Sequence, residues 1–375
     1  MYGQTPLWWA VENGHEAVVG MLLERDDVNP NTADRKGRTP LSRAACKGHE
    51  GVVRILLERK DVNPSTADNI FNRTPLWWAV KKGHEAVVRI LLERDDVNPN
   101  TADMFGHTPL FWAAMDGSEG ILRILLRRGD VNPDTVDRYG ETPLLQAVEN
   151  GYEGIVKLLL ERDDVNPDRA DKDGLAPLSR AACKGHEGIV KVFLGWSDVS
   201  PGTADGYGKT PLSRAIQHEH EEVVRILLER KDVNPATADA VCGRTPLSWA
   251  LRKRYEAVVR ILLERDDVNP NNPSEFGQSP LLWAAMHEHE GIVRILLERG
   301  DVNPDTADKF GPLINEAPLF RAAQNGHEGV VRVLLERDDV NPDRADTFGR
   351  TPLSQAAMNG HEDTTRTERG QSRHN

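Results

Sequence analysis

An all-α solenoid of short helix-turn-helix units with projecting turns is the fold that the 375-residue sequence predicts, on three observations. A Thr-Pro, Ser-Pro or Ala-Pro signal recurs at Pro6, Pro40, Pro75, Pro109, Pro143, Pro177, Pro211, Pro246, Pro280, Pro318 and Pro352, spaced by 34 or 35 residues with one gap of 38. A second signal, "DVNP", alternates with it, ending at Pro30, Pro64, Pro99, Pro133, Pro167, Pro235, Pro270, Pro304 and Pro342, with "DVSP" ending at Pro201. Between them lie apolar runs of helical period, too short to bury their own stripe, so stability must come from stacking on neighbouring units.

The first unit, "TPLWWAVENGHEAVVGMLLERDDVNP", justifies each element in turn. Thr5 suits an N-cap and Pro6 the first helical position, where a missing N–H costs nothing. Leu7, Ala10 and Val11 fall on one face, and Gly14 ends this short helix in the left-handed conformation. Glu16 sits in the opening turn of a second helix, where negative charge is favoured, and Val18, Val19, Leu22 and Leu23 form its buried stripe. Val28-Asn29-Pro30 closes it, and a polar stretch with Gly37 at its turn leads to Thr39-Pro40.

Composition narrows the function. With 59 acidic and 47 basic residues the net charge is −12, which works against phosphate binding, so nucleic acid is a poor partner. Cys46, Cys183 and Cys242 are few, distant and odd in number, which fits a reducing compartment and neither a disulfide framework nor a metal knuckle. No charged-then-apolar leader and no apolar run of membrane-spanning length is present. The expectation is an intracellular protein of cytoplasm or nucleus, without membrane, metal or cofactor.

"TPLSRAACKGHEGVVRILLERKDVN" (39 to 63) resembles the ankyrin repeat, whose pattern runs from T-P-L-H-x-A-A through a G-H break and a V-V…L-L helix to V-N, and the resemblance covers residues 1 to about 363. It implies protein–protein binding through the projecting turns and the concave first-helix face, and no catalysis. The wording is similar to ankyrin arrays common in fungal proteins, which often follow a nucleotide-binding signalling domain. Three departures stand out, one being a helix-two exit one residue shorter. The histidine after T-P-L is replaced by Ser, Trp, Phe or Leu in every unit, so its bonds between repeats must be supplied differently or lost. The turn after V-N is longer and reads "PNTAD" or similar.

Several motifs are expected to be structural. Glu85, Arg89 and Glu93, like Glu290, Arg294 and Glu298, form i,i+4 pairs on a solvated outer face. The Asp pairs at 26–27, 95–96, 163–164, 266–267 and 338–339 belong to that face. "RGD" at 128–130 and 299–301 places each glycine where a helix C-terminus wants one. "GYGKT" at 206–210 lacks the first glycine of a phosphate loop. In "HEHE", His218 and His220 should point to different faces, and the "GHE" histidines are expected to be caps.

The binding candidates come from helical geometry. At about 100° per residue, Trp8 stands at the edge of the Leu7 face while Trp9 points away from its unit's core. The second residue after each signal's leucine is Trp9, Arg43, Trp78, Trp112, Gln146, Arg180, Arg214, Trp249, Trp283, Arg321 or Gln355. Tryptophan and arginine are enriched at binding hot spots, so the column is a candidate recognition stripe. The competing reading is packing between units, with cation–π contacts. A second candidate row lies at the turn tips, where Phe105, Tyr139, Tyr207, Phe276, Phe310 and Phe348 each precede a glycine.

"VFLGWSDVSPGTADGYG" (192 to 208) loses the repeat wording and should form a weak or bent joint, and "GPLINEAP" (311 to 318) lengthens one turn. Residues 1–363 are expected to form the array, with 364–375 a polar, disordered tail. The functional expectation is a noncatalytic scaffold binding a protein. Alternatives are a segment of a larger signalling protein and, less favoured, a small-molecule binder or enzyme using the inner groove.

Overall fold

The computed structural model describes residues 5–274, 277–305, 317–362 and 364–365, and among these no strand occurs. The chain divides into two compact units, Met1–Ala181 with Lys191–Val199, and Ala182–Val190 with Ser200–Asn375. Their boundary runs through residues 182 to 199, within and beside the stretch whose wording departs from the repeat.

The first unit holds five helix pairs: α1 (Pro6–Glu12) and α2 (Glu16–Leu23), α3 (Pro40–Lys47) and α4 (Glu50–Glu58), α5 (Pro75–Lys81) and α6 (Glu85–Leu92), α7 (Pro109–Met115) and α8 (Glu119–Leu126), α9 (Pro143–Glu149) and α10 (Glu153–Leu160). Next come α11 (Pro177–Lys184) and α12 (Glu187–Leu194), which the boundary divides. The second unit continues with α13 (Pro211–Gln217) and α14 (Glu221–Leu228), α15 (Pro246–Arg252) and α16 (Glu256–Leu263), α17 (Pro280–Met286) and α18 (Glu290–Leu297), α19 (Pro318–Asn325) and α20 (Glu328–Leu335), and α21 (Pro352–Met358). Within each unit, first helices stack on first helices and second on second.

Each first helix starts as its sequence dictates. The Thr39 hydroxyl accepts from the Ser42 N–H at 3.1 Å, with Pro40 at the first helical position, and Thr5, Thr74 and Thr108 cap likewise. Ala317 supplies no such bond to α19. Alanines on the inner faces, such as Ala44, Ala45, Ala113 and Ala114, are fully buried and let neighbouring helices approach closely. The second helices contribute pairs such as Val52 and Val53, with Leu56, at zero exposure. Val18 departs from its expected place in a buried stripe and is 43% exposed, because among the described residues its pair has a neighbour on one side alone.

The units are stitched by side chains that the sequence reading assigned otherwise. The "GHE" histidines make no cap bond at their helix starts. Their Nε2 instead reaches the last main-chain carbonyls of the preceding first helix: His49 to Glu12 at 3.3 Å, His84 to Cys46 at 3.2 Å, His327 to Met286 at 3.0 Å. Gly48, at φ +75°, gives the His84 ring room, since a Cβ there would lie 2.6 Å from its Nδ1.

A second stitch explains the Asp pairs and both "RGD" triplets. Arg94 binds Asp96 through Nε and Nη2 at 2.8 and 2.6 Å, and its Nη1 donates to the Leu57 carbonyl of the preceding pair at 3.0 Å. Arg128 and Asp130 do the same to Leu92, and Arg299 and Asp301 to Leu263. The glycines between them, Gly129 and Gly300, are not left-handed as a helix C-terminus would require, so that expectation is corrected. The outer i,i+4 pairs form in part: Arg89 pairs with Glu85 at 3.8 Å and Arg294 with Glu290 at 3.0 Å, while Glu298 turns to Arg260 of the preceding pair at 2.7 Å.

Candidate functional site

Eight of the described projecting turns are built around one aspartate each. In the turn after α6, Asp103 Oδ1 accepts the main-chain N–H groups of Phe105 and His107 at 2.9 and 3.0 Å, while the Asp103 N–H donates to the His107 carbonyl at 3.0 Å. Asp137, Asp171, Asp205 and Asp346 repeat this arrangement. Successive turns are joined by main-chain bonds, Met104 N–H to Phe71 at 2.8 Å, Arg138 N–H to Phe105 at 3.1 Å and Ala240 N–H to Tyr207 at 3.1 Å. The polar backbone of these turns is thereby satisfied without a strand.

On this base the tip aromatics stand exposed, Tyr139 at 71%, Tyr207 at 51%, Phe348 at 68% and Phe105 at 37%. Phe276 and Phe310 lie outside the described residues. Phe71 belongs to the same row but escaped the sequence reading, which looked for an aromatic before glycine: Asn72 adopts the left-handed conformation there, at φ 59°. The Phe71 ring stacks on Phe105 with centroids 6.3 Å apart, under the Arg73 guanidinium at 4.2 Å.

The adjacent tryptophans are separated by helical geometry. Trp8 is 3% exposed and Trp9 51%, their rings meeting edge to face at 5.1 Å. Elsewhere in the column the side chains are half-buried or buried and held by partners. Arg43 pairs with Glu12 and lies 5.5 Å over Trp8. Its hydrogen bond outweighs burial and holds the Glu12 carboxyl below the usual range. The Trp78 indole N–H donates to Asp68 Oδ2 at 3.3 Å and that of Trp249 to Asp239 Oδ2 at 2.9 Å. Arg214 binds Asp205 Oδ2 through Nε at 2.8 Å. The turn aspartate thus serves the turn with one oxygen and the column with the other.

Arg180 sits among three carboxylates, Glu141 at 3.0 Å, Glu149 at 3.3 Å and Asp171; burial opposes its charge, but they outweigh burial and raise its pKa. The Gln146 amide donates to Glu141, and Arg321 to Gln324 at 3.0 Å. Trp112 meets Trp77 edge to face at 5.3 Å under the Lys81 ammonium at 3.7 Å. Trp283 stacks on His287 at 4.2 Å and meets the buried His289 edge to face at 5.0 Å. Gln355 is buried.

The "HEHE" histidines do not point to different faces. His218 and His220 bring their rings 6.3 Å apart, because Glu219 between them is left-handed, at φ 64°, and the chain leaves the helix there. Burial, then His220, lowers the His218 pKa. Among the described residues no group of three or more His, Cys, Asp or Glu side chains could hold a metal ion, and no helix is long and apolar enough to cross a membrane.

A family model described as ankyrin repeats (3 copies) matches residues 1–68, 27–103, 59–136, 96–171, 164–239, 231–308 and 303–367, which together span nearly the whole chain. No curated protein matches the sequence.

Proposed function

Because the chain belongs to the ankyrin repeat family, whose repeats are general protein–protein interaction modules, we propose that it is a noncatalytic array that binds a protein partner through its turn tips and first-helix column. The observation that carries this reading is the exposure of aromatic tips within each unit, Phe105 and Tyr139 in the first and Tyr207 and Phe348 in the second. Each is presented by a turn whose main chain is already fixed by an aspartate, so little ordering entropy opposes binding. Tyrosine adds large amphipathic contact area with few torsions to freeze.

The column supports the reading in a different way. Trp78, Trp112, Trp249 and Trp283 keep part of each ring open while partners behind them set its orientation. Arg43, Arg180, Arg214 and Arg321 have their polar groups engaged inside the array. In this reading the tryptophans and tips supply contact area, and the arginines chiefly hold the surface in shape.

Affinity capture from a cell extract tests it. Tyr139→Ser/Tyr207→Ser, Trp78→Ala/Trp112→Ala and Trp249→Ala/Trp283→Ala variants, each shown by circular dichroism to keep its helices, are compared with the parent. Loss of the same captured proteins from the tip variant and at least one column variant is expected. Recovery of unchanged partners at unchanged strength by all three overturns the reading.

A further inference from the structure

One described turn breaks the aspartate rule. Eight described turns carry an aspartate at the position where Ser274 stands in the turn before α17. Two main-chain bonds of the turn are kept there: the Ser274 N–H donates to the Gln278 carbonyl and the Gly277 N–H to the Ser274 carbonyl, both at 2.8 Å. The Asp205 turn makes the same two bonds, to Lys209 at 3.0 Å and from Gly208 at 2.8 Å. Ser274 stands there in place of the periodic aspartate.

Its absence coincides with a small, open cleft between α15 and α17, lined by Leu251, Arg252, Ser274, Gln278, Pro280 and Trp283 among others. The charge beside it differs from pair to pair. At the helix position of Arg252, two pairs carry Glu12 and Glu149, each bonded to the column arginine of the next pair, while α5 carries Lys81, whose ammonium lies over Trp112. Arg252 is exposed and makes no ion pair among the described residues. The Gln278 amide reaches nothing better than the Met286 sulfur at 3.4 Å, a weak acceptor. Behind the Trp283 ring, His289 is 6% exposed with Nδ1 unbonded, and burial together with Arg254, His287 and His327 pushes its pKa down to about 4. That environment disfavours added positive charge, on a chain whose net charge is −12.

We propose that this cleft receives an aspartate or glutamate side chain from an acidic segment of the partner protein, which takes the place of the missing turn carboxylate. Arg252 and the Gln278 amide donate to the carboxylate, and Leu251, Pro280 and the Trp283 face cover its methylene stem. A carboxylate bonded to a guanidinium is among the stronger side-chain contacts, and a cleft with an apolar wall excludes competing water from it. The proposal rests on the reading that the array binds protein, and names the chemistry of one of its contacts.

The test uses the full chain and the indole N–H signal of Trp283 in nuclear magnetic resonance, assigned with Trp283→Phe. The probe is the peptide acetyl-Gly-Asp-Leu-Gly-amide, with the Asn peptide as its neutral match. The Trp283 signal is expected to move and saturate at millimolar Asp peptide, with the Asn peptide roughly tenfold weaker or more. The signals of Trp78 and Trp249, already bonded to Asp68 and Asp239, stay in place. Ser274→Asp, which restores the periodic carboxylate, and Arg252→Glu each abolish the response. A still Trp283 signal, an equal response to the Asn peptide, or a response surviving both substitutions overturns the proposal. If capture still depends on the tips while Trp283 ignores the peptide, the acidic contact fails alone. If Trp283 responds while capture ignores every tip and column variant, the broader reading fails instead.

Discussion

Arg128 and Leu92 belong to neighbouring helix pairs, and Nη1 of the arginine donates to the main-chain carbonyl of the leucine at 3.0 Å while Asp130 holds the other edge of the guanidinium. The same nitrogen also lies 3.2 Å from the Arg94 carbonyl, so one side chain ties down the exit of the preceding second helix. Arg128→Ala should lower stability by about 1.5–3 kcal/mol, the range for hydrogen bonds to a charged group. Arg128→Lys should recover only part, because an ammonium cannot span Asp130 and the carbonyls with a planar fork. Urea midpoints of the two variants check this, and equal stability of parent and Arg128→Ala would remove the stitch from the account.

The tryptophan pairs give a contrast within one motif. Trp77 is 1% exposed, lies against Trp78 and Trp112, and carries the Arg73 guanidinium at 4.1 Å. Trp77→Ala should cost about 3–5 kcal/mol. Trp9→Ala should cost well under about 1 kcal/mol, since half of that ring is already in water. Thermal unfolding of the two variants should rank them widely apart.

Two glycines should respond with opposite signs. Gly48→Ala forces a Cβ into a left-handed residue and against the His84 ring, costing at least about 1–2 kcal/mol. Gly20, inside α2, has open space where its Cβ would go. Gly20→Ala should therefore stabilise by about 0.5–1 kcal/mol. Destabilisation by both, in urea melts, would contradict the assigned conformations.

Acid sensitivity should arise near neutrality before the carboxylates titrate. His289 is neutral in the fold, with its pKa lowered from 6.5 to about 4, so between those values the unfolded chain binds the extra proton. Its contribution is complete above pH ~6.5 and falls away as the pH drops toward ~4, a loss of roughly 1–2 kcal/mol between pH 7 and 5. His289→Tyr, the residue found at this helix start in Tyr152 and Tyr255, should flatten that slope. The carboxylates of Asp34 and Asp346, where burial raises the pKa but the side-chain and main-chain bonds together, chiefly from Arg38 and Arg350, hold it low, act in a lower window, losing their contribution below pH ~4. An unchanged pH profile in His289→Tyr would assign the slope to other groups.

The helices were legible because every local signal repeats in register. Thr39-Pro40 starts α3, Gly48 follows it left-handed, and Val52, Val53 and Leu56 face inward, as periodicity alone requires. Bonds between units were not legible. Nothing in "GHE" or "RDD" tells a side chain to reach a carbonyl more than thirty residues earlier, since that acceptor is brought near only by stacking. Phe71 was hidden for a related reason: its turn has one more residue than most, and Asn72 replaces the glycine that marks the other tips. In the column, residue type was readable, but the engagement of Arg180 and Arg214 by turn aspartates depends on where the turn folds back.

The helix-layer stitches have a direction. His49, His84, Arg94 and Arg128 all reach from a later pair to carbonyls of the one before. During synthesis the acceptors are therefore laid down first, and each pair emerging from the ribosome brings the donors that fasten it to a finished predecessor. For these stitches, trimming whole pairs from the C-terminal side frees neutral carbonyls for water, whereas trimming from the N-terminal side strands guanidinium and imidazole groups without their acceptors. Successively shortened arrays should thus tolerate loss from one end better than from the other, an asymmetry written into the order of translation.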